Sequence, residues 1–225
     1  MNSRTHKTLI LIPAYNAADH LPELLKRVMQ VVPSEDVLVV NDGSTDRTVD
    51  CLRESKVTFI SFPENRGKGA ALRAGYAYAV DNDYRSVLSL DADLQHLPEE
   101  IPAFLEADNG GRVIIGTRRI EKALMPPHRL MTNNLTSLII SIFSRTRIRD
   151  SQSGFRLVPT RLLRQVRLGA DMYDLESELL FKAGALRWEV VEVPVSTVYG
   201  EEASHIHKVR DTLRFIRQIW RRIWV

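Results

Sequence analysis

Residues 8–16 read TLILIPAYN, residues 37–46 read VLVVNDGSTD and residues 87–96 read VLSLDADLQH. Each stretch begins with a short apolar run that is typical of a buried strand and continues directly into a polar segment. In open α/β sheets, ligands bind outside the carboxyl ends of the strands. If the three strands are parallel, their polar segments meet along one edge of the sheet, and we expect a binding site there.

The same alternation of β-branched runs and longer helical patterns continues along the chain. It predicts the α/β class, with a doubly wound and mostly parallel sheet. We place strands at residues 8–12, 37–40, 57–62, 87–90, 113–115, 155–158 and 188–195, and helices at residues 21–32, 46–54, 67–80, 98–107, 129–144, 175–185 and from about 208. Ser44 or Thr45 is the expected N-cap of the second helix. Residues 1–207 contain no repeat or long linker, and we expect them to form one domain.

The composition is that of an ordinary globular protein, with 225 residues of which 44% are hydrophobic and 26% charged. The single cysteine, Cys51, excludes an internal disulfide and makes a reducing, cytoplasmic location the default expectation. No apolar run reaches the roughly 18 residues of a membrane-spanning helix. The formal net charge is only +3, yet residues 112–167 carry twelve basic and two acidic side chains. Such a segment favours an anionic partner: a phosphate-bearing ligand, a membrane surface or a nucleic acid.

The Asp-Ala-Asp (DxD) sequence at residues 91–93 is the strongest chemical signal. In extended backbone, Asp91 and Asp93 would project to the same side, where their mutual repulsion favours a cation between them. Gln95 continues this spacing with a neutral oxygen. Carboxylate and amide oxygens suit Mg²⁺ or Mn²⁺, which usually complete their shell with water and substrate phosphates. The alternative is a solvated acidic turn before a helix that begins at Pro98.

A cationic loop, NRGKG at residues 65–69, opens the third predicted helix. Helix N-termini favour anions, although the spacing is not that of a P-loop. Beside a metal-binding pair on the same edge of the sheet, the loop indicates a contact to a nucleotide diphosphate or its sugar.

Taken in order, these motifs resemble the family 2 glycosyltransferases of the GT-A fold, and among them the dolichyl- and polyprenyl-phosphate sugar transferases. The likeness spans about residues 8–210 and includes PAYN 13–16, NDGSTD 41–46, NRGKG 65–69, DADLQH 91–96, GTRR 116–119, DSQSGFR 150–156 and ESE 176–178. It implies a Rossmann-like, mostly parallel central sheet with helices on both faces. It also implies a metal-dependent, inverting enzyme that moves a sugar from a nucleotide-sugar donor to an acceptor.

Carried over residue by residue, the resemblance implies a donor site, a metal site and a catalytic group. The nucleotide sugar would be held by Pro13, Ala14, Tyr15, Asn16, Asp42, Lys68, Asp91, Ala92 and Asp93. Asp91, Asp93 and Gln95 would hold Mg²⁺ or Mn²⁺ on the diphosphate, and the catalytic residues would be Asp91, Asp93 and Arg118. Many relatives have Glu directly after the Asn of the first motif, whereas this chain has Ala17, so one expected nucleotide contact is in doubt.

On the acceptor side, the resemblance implies a polyprenyl phosphate or another membrane-associated glycolipid. The candidate contacts are Arg129, Arg156, Glu176, Ser204 and His205. A lipid phosphate is already anionic and needs only cations to place it, whereas a hydroxyl acceptor needs a carboxylate base. The candidates for such a base are Asp150, Asp174, Glu176 and Glu178. Both alternatives stay open, as do the sugar, the nucleotide and the oligomeric state.

The tail, residues 208–225, places basic side chains on one side of a helical pattern and apolar ones, including two Trp, on the other. This composition is typical of an interfacial helix and predicts peripheral binding to the inner, cytoplasmic face of the membrane. Packing of the tail on the domain is the alternative. A catalytically inert sugar-nucleotide-binding scaffold and a nucleotidyltransferase are alternative functions. A nucleic-acid partner would rest on charge alone, and we expect none.

Overall fold

A seven-stranded sheet with flanking helices organises the part of the chain that the structure describes. The structure is a computed structural model, and it describes residues 7–118, 141, 148, 150–151, 153–169 and 175–196. The strands are β1 Thr8–Ala14, β2 Val37–Asn41, β3 Thr58–Ser61, β4 Ser86–Ser89, β5 Arg112–Arg118, β6 Arg156–Pro159 and β7 Glu189–Val195. The α-helices are α1 Leu21–Val31, α2 Thr48–Glu54, α3 Lys68–Asp81, α4 Ile101–Ala107, α5 Thr160–Leu163 and α6 Leu175–Ala185. Single 3₁₀ turns at Ser34–Asp36 and Pro98–Glu100 precede β2 and α4.

The strand order is β3-β2-β1-β4-β6-β5-β7. Strand β6 is antiparallel to both of its neighbours, while the remaining adjacent strands pair in parallel. Ser89 at the end of β4 lies opposite Arg156 at the start of β6. The chain therefore enters β6 along the edge of the sheet where β1, β2, β4 and β5 end.

The sheet is covered on both faces, as strand β1 shows. Ile10 and Ile12 pack into one apolar cluster with Leu24 of α1. The alternate residues, Leu9 and Leu11, pack into a second cluster with α3. Because successive strand side chains point to opposite faces, β1 is buried on both sides between these helices. The predicted α/β class, with helices on both faces of a mostly parallel sheet, is confirmed.

Most element boundaries fall within a few residues of the sequence-based expectations. Two details were wrong or missed: α5 was not predicted, and the N-cap of α2 is Arg47 rather than Ser44 or Thr45. The helix predicted at residues 129–144, apart from Ser141, and the tail at 208–225 lie outside the described residues. Within the described part of the chain, no helix has the length and apolarity needed to span a bilayer.

Candidate active site

Hydrogen bonds join the loops that follow β1 and β2. The Asn16 N–H donates to Ser44 Oγ at 2.9 Å, and the Thr45 N–H donates to Asn16 Oδ1 at 2.8 Å. The Ala17 N–H donates to Thr48 Oγ1 at 2.8 Å, and the Ala18 N–H donates to Asp46 Oδ2 at 3.0 Å. Two polar segments distant in sequence thus form one braced unit, in which Asn16 and Ser44 are structural partners of each other.

Asp46 completes this brace at the start of α2. Its carboxylate accepts hydrogen bonds from the backbone N–H and the hydroxyl of Thr48, at 3.0 and 2.5 Å. These bonds satisfy donors at a helix start that has no N-cap side chain. The expected cap by Ser44 or Thr45 was wrong: the N-cap residue is Arg47, whose side chain makes no capping bond, and the oxygen that accepts from the Thr48 N–H belongs to Asp46.

The predicted nucleotide contacts in the first motif differ in how far they are exposed to solvent. Pro13 and Ala14 are buried in the sheet edge, whereas Tyr15 is 50% exposed and Asn16 is also exposed. The Tyr15 ring therefore lies on the surface beside the braced loops. It is the largest apolar group that this motif presents to solvent.

Asp42 directly follows β2, and its side chain binds the cationic loop instead of being exposed to solvent. It is buried, and its two carboxylate oxygens accept hydrogen bonds from the backbone N–H groups of Arg66 and Gly67, at 2.7 and 2.8 Å. Gly67 has φ of +89°, a left-handed conformation that favours glycine, and it immediately precedes α3. Asp42 thereby fixes the entry into the helix that begins with Lys68.

Lys68 joins two carboxylates that are far apart in sequence. Its Nζ lies 2.5 Å from Asp91 Oδ1 and 3.1 Å from Glu176 Oε1. The three side chains are only 18%, 28% and 8% exposed. The carboxyl end of β4, the start of α3 and the start of α6 thus converge on one ion-paired cluster.

The pKa values in this cluster favour its charged form. Burial lowers the pKa of Lys68, but the negative charges of Asp91 and Glu176 outweigh it and leave that pKa above its ordinary value. Burial raises the pKa of Asp91, yet the charges of Lys68 and His96 and the hydrogen bond from Lys68 bring it below its ordinary value. Lys68 and Asp91 therefore stabilise each other's charged form in a site that is largely shielded from water.

The pKa of Asp93 shifts in the opposite direction, and this shift bears on metal binding. Its pKa is raised by burial and by the nearby negative charge of Asp91, while the Gln95 N–H donates to its Oδ1 at 3.0 Å. A divalent cation between Asp91 and Asp93 would relieve this repulsion, so the donor set fits Mg²⁺ or Mn²⁺. The described residues contain no cluster of three or more His, Cys, Asp or Glu side chains that could hold a metal. Two carboxylates leave positions for water and substrate oxygens.

The backbone at this motif differs from the expected extended form. The chain turns at Ala92 and Asp93, and Leu94 has φ of +58°. The charge of Asp91 therefore acts on Asp93 across a turn, and the alternation of an extended strand does not apply here. Ala92 is nearly buried, so its side chain offers little surface to a nucleotide sugar.

Arg156 requires a correction. We expected its guanidinium to meet an acceptor phosphate, but Arg156 is completely buried. Its nitrogens donate to the carbonyl oxygens of Ser151, Ser153 and Glu176, with shortest distances of 3.2, 2.7 and 2.7 Å. The side chain thus fastens the segment before β6 to α6, and its guanidinium is used by backbone carbonyls.

Gly154 lies in that fastened segment and approaches Asp91 closely. A Cβ at this position would lie 2.5 Å from Asp91 Oδ2 and 2.9 Å from Asp91 Cγ. Only glycine permits the carboxylate and the backbone to be so near each other. The Ser89 hydroxyl donates to the Gly154 carbonyl at 3.0 Å and holds the segment against β4.

The remaining predicted residues divide into two groups. Glu176 lies in the cluster, Asp150 is fully buried, and Glu178 accepts from the Gly169 N–H at 3.0 Å and pairs with Lys182 at 2.8 Å. Arg118 is the last residue of β5. Four further candidates lie outside the described residues: Arg129, Asp174, Ser204 and His205.

Sequence reasoning missed Tyr76, a buried residue of α3. Burial raises the pKa of its phenol to about 12, against a lowering by Arg156 and a further raising by Glu176. The phenol therefore lies within electrostatic range of the cluster and stays protonated. Its position in an apolar helical pattern carried no signal of this, because such residues usually belong to the core.

A mostly parallel sheet with loops and carboxylates gathered along one edge is the architecture of a GT-A glycosyltransferase. The model of glycosyl transferase family 2 matches residues 9–168, and the chain belongs to that family. It is thus a glycosyltransferase.

Relatives of known name extend the match over most of the chain. An undecaprenyl-phosphate mannosyltransferase of Micrococcus luteus is 32% identical over 206 residues, covering 87% of this chain and 85% of the relative. A polyprenol monophosphomannose synthase of Mycolicibacterium smegmatis is 30% identical over 205 residues, covering 85% and 77%. Both alignments cover more than four fifths of this chain.

Solved structures show the same fold. Glucosyl-3-phosphoglycerate synthase from Mycobacterium tuberculosis, in complex with Mn²⁺, uridine diphosphate and phosphoglyceric acid, superposes with a TM-score of 0.70. Its sequence is 18% identical, and the match covers 95% of this chain and 76% of that one. At this identity the likeness establishes the GT-A fold.

Proposed function

We propose that this glycosyltransferase moves a sugar from a nucleotide-sugar donor to a polyprenyl phosphate, with inversion at the anomeric carbon and with Mg²⁺ or Mn²⁺ as cofactor. The match to the undecaprenyl-phosphate mannosyltransferase, over 87% of this chain, carries the proposal. The convergence of Lys68, Asp91 and Glu176 at the carboxyl edge of the sheet supports it from the structure.

In this proposal, each group at the edge has a positional or electrostatic task. Tyr15 and the braced loops hold the nucleoside, while Asp91, Asp93 and Gln95 hold the cation. When bound, the cation neutralises charge that develops on the departing nucleoside diphosphate. Lys68, the first residue of α3, adds a fixed positive charge beside the same carboxylate. Arg118 and Arg129 would place the acceptor phosphate, since Arg suits such groups.

Among the candidate bases that the structure describes, which do not include Asp174, the surroundings favour an anionic acceptor over a hydroxyl. A hydroxyl acceptor would need a free carboxylate base. Glu176 is instead paired with Lys68, and Glu178 with Lys182. Asp150 is fully buried. A phosphate oxygen is already a nucleophile at neutral pH and needs none of them.

A direct assay tests the reaction. Purified protein, Mn²⁺ or Mg²⁺, a panel of labelled nucleotide sugars and a short-chain polyprenyl phosphate should give a labelled lipid and a nucleoside diphosphate. Asp93→Asn should reduce turnover at least about a hundredfold if the cation stabilises the leaving group. Asp50→Asn is the matched control, because Asp50 is exposed and pairs only with its helix neighbour Arg53 among the described residues.

Several outcomes would contradict the proposal. Release of pyrophosphate would indicate nucleotidyl transfer, and sugar-nucleotide binding without turnover would indicate an inert scaffold. Product formation with a hydroxyl glycolipid but not with the lipid phosphate would replace the acceptor. Full activity after prolonged chelation would remove the metal from the proposal.

The membrane part of the proposal places the protein peripherally on the inner face of the membrane, through residues 208–225. The basic middle of the sequence and the acceptor's lipid nature support this location. Flotation with anionic liposomes should separate the full chain from one that ends at residue 207. Equal partitioning of the two would reject the tail as an anchor.

A further inference from the structure

We propose that the Lys68 ammonium is a resident cation at Asp91 that competes with the divalent metal for this carboxylate, and that Glu176 retains Lys68 when the metal is bound. The inference rests on the proposed function, because it takes Asp91 and Asp93 as the metal-binding pair. It concerns the affinity of the protein for the metal alone, before any nucleotide is present.

The two oxygens of Asp91 have different surroundings, and this limits where a cation can bind. Oδ2 lies against Gly154, at 2.5 Å from the position that a Cβ would take. Oδ1 lies 2.5 Å from Lys68 Nζ. Both oxygens lie near the Gly154 backbone, since Oδ1 is 3.0 Å from the same Cβ position. The less crowded oxygen is the one that already holds a positive charge.

Lys68 stands at an electrostatically unfavourable place for a lysine. It is the first residue of α3, where the helix dipole disfavours positive charge. The two carboxylates compensate for this, and they come from β4 and α6 rather than from the neighbouring sequence. Lys68 therefore lies beside the metal-binding carboxylate although the helix dipole disfavours a positive charge at this position.

Glu176 gives Lys68 a second partner besides Asp91. Its Oε1 lies 3.1 Å from Nζ, and its side chain is buried. The Arg156 guanidinium holds the Glu176 carbonyl at 2.7 Å and so fixes the start of α6. Lys68 can therefore release Asp91 without becoming an isolated buried charge, which would be strongly unfavourable.

Metal binding without nucleotide distinguishes this role from that of a simple diphosphate contact. A lysine that is directed at the diphosphate and away from Asp91 would change Mn²⁺ affinity little in the absence of nucleotide, because solvent screens a distant charge. A lysine that occupies Asp91 weakens that affinity, because the two cations repel each other at a few ångströms.

The test measures free Mn²⁺ by its electron paramagnetic resonance signal in titrations of the full chain. Lys68→Gln removes the charge and keeps a hydrogen-bond donor, and it should bind Mn²⁺ on the order of tenfold more tightly. Lys68→Arg retains the charge and should stay within about twofold of the unmodified chain. Titrations at pH 7 and pH 8.5 check that protonation of Asp91 in the Gln variant does not hide the gain. Equal or weaker binding by Lys68→Gln at both pH values would overturn the inference.

Glu176→Gln gives an independent measurement that leaves Lys68 in place. With its second partner neutral, Lys68 should hold Asp91 more firmly, and Mn²⁺ should bind about fivefold more weakly. Glu178→Gln is the matched control, since it removes a similarly buried carboxylate from the same helix, but one that pairs with Lys182. Equal weakening by both variants would indicate general charge and contradict the role of Glu176.

The outcomes separate the inference from the proposed function. If neither the unmodified chain nor Lys68→Gln binds Mn²⁺, the metal site fails and the inference fails with it. If the unmodified chain binds Mn²⁺ and Lys68→Gln gains nothing, only the inference fails. Binding that appears only after removal of Lys68 would support the competition in its strongest form.

Discussion

The braced loops after β1 and β2 and the charged cluster around Lys68 lie on the same edge of the sheet but are stabilised in different ways. The loops use several short bonds between exposed or neutral groups, such as Asn16 with Ser44. The cluster uses charges that are largely withdrawn from water: Lys68 and Asp91 are partly buried, and Arg156 is fully buried. A lost exposed bond is largely replaced by water, whereas a buried charge without its partner has no such replacement. We therefore expect the exposed bonds of the loops to tolerate substitution, and the buried charged groups, in the cluster and at Asp42, to resist it.

Arg156→Met gives the largest expected effect on this comparison. It leaves the Ser151, Ser153 and Glu176 carbonyls without their buried donor. The free energy of unfolding should fall by about 3–5 kcal/mol, as measured by urea denaturation. Arg53→Met, on the exposed face of α2, should change it by less than about 0.5 kcal/mol. A loss below about 1 kcal/mol for Arg156→Met would contradict the cluster's greater sensitivity.

Asp42→Asn tests a charged group in the loop that follows β2. The amide offers one acceptor oxygen where the carboxylate offers two, so one of the Arg66 and Gly67 N–H groups loses its partner. We expect a loss of about 2 kcal/mol in unfolding free energy, together with weaker nucleotide binding in a fluorescence titration. Asp50→Asn again serves as the control. Unchanged stability would show that the loop at residues 65–67 does not depend on Asp42.

Gly154→Ala probes the cluster by steric contact instead of charge. Its methyl group would lie 2.5 Å from Asp91 Oδ2, so either Asp91 or the segment before β6 must move. Stability should fall by about 1–2 kcal/mol, and Mn²⁺ affinity should fall at the same time. Gly111→Ala is the control, because its methyl group would meet only Asn109 Oδ1, at 3.5 Å. Normal Mn²⁺ binding by Gly154→Ala would contradict the close approach.

The smallest expected effect concerns Asp46 and pH. Burial raises the pKa of Asp46, but hydrogen bonds from Thr48 and Ala18 outweigh this and keep the pKa below the ordinary 3.8. Since the folded pKa is the lower one, the stabilisation is complete above 3.8 and is lost as the pH falls through the folded value. The melting temperature of Asp46→Asn should therefore lie slightly below that of the unmodified chain at pH 7, with the gap closing as the pH falls through 3.8 and below. A gap that stays constant over this range would contradict the prediction.

The sequence predicted the sheet, its helices and the carboxyl edge correctly because these follow from local periodicity and from turn residues. It identified Asp91 and Lys68 as candidate site residues by motif, and the structure brings the two together. It misplaced Arg156, because a buried arginine depends on carbonyls from segments whose contact the sequence pattern does not encode. Tyr76 was missed for a similar reason: Arg156 and Glu176, whose charges act on its phenol, come from β6 and α6. The bracing role of Ser44 was also hidden, since its partner Asn16 lies in another loop.

The antiparallel strand β6 has a consequence for how such a protein can change. The chain leaves the sheet at Arg118 and re-enters it at Arg156, along the edge that carries Asp91. The last residues before β6 are also held at that edge, because Gly154 lies against Asp91 and Arg156 binds the Ser151 and Ser153 carbonyls. An exchange of residues 119–140 that spares these contacts keeps the strand register and the loops after β1 and β2 intact. If the basic segment contacts the acceptor, as proposed, such a protein can change its acceptor without rebuilding its sheet.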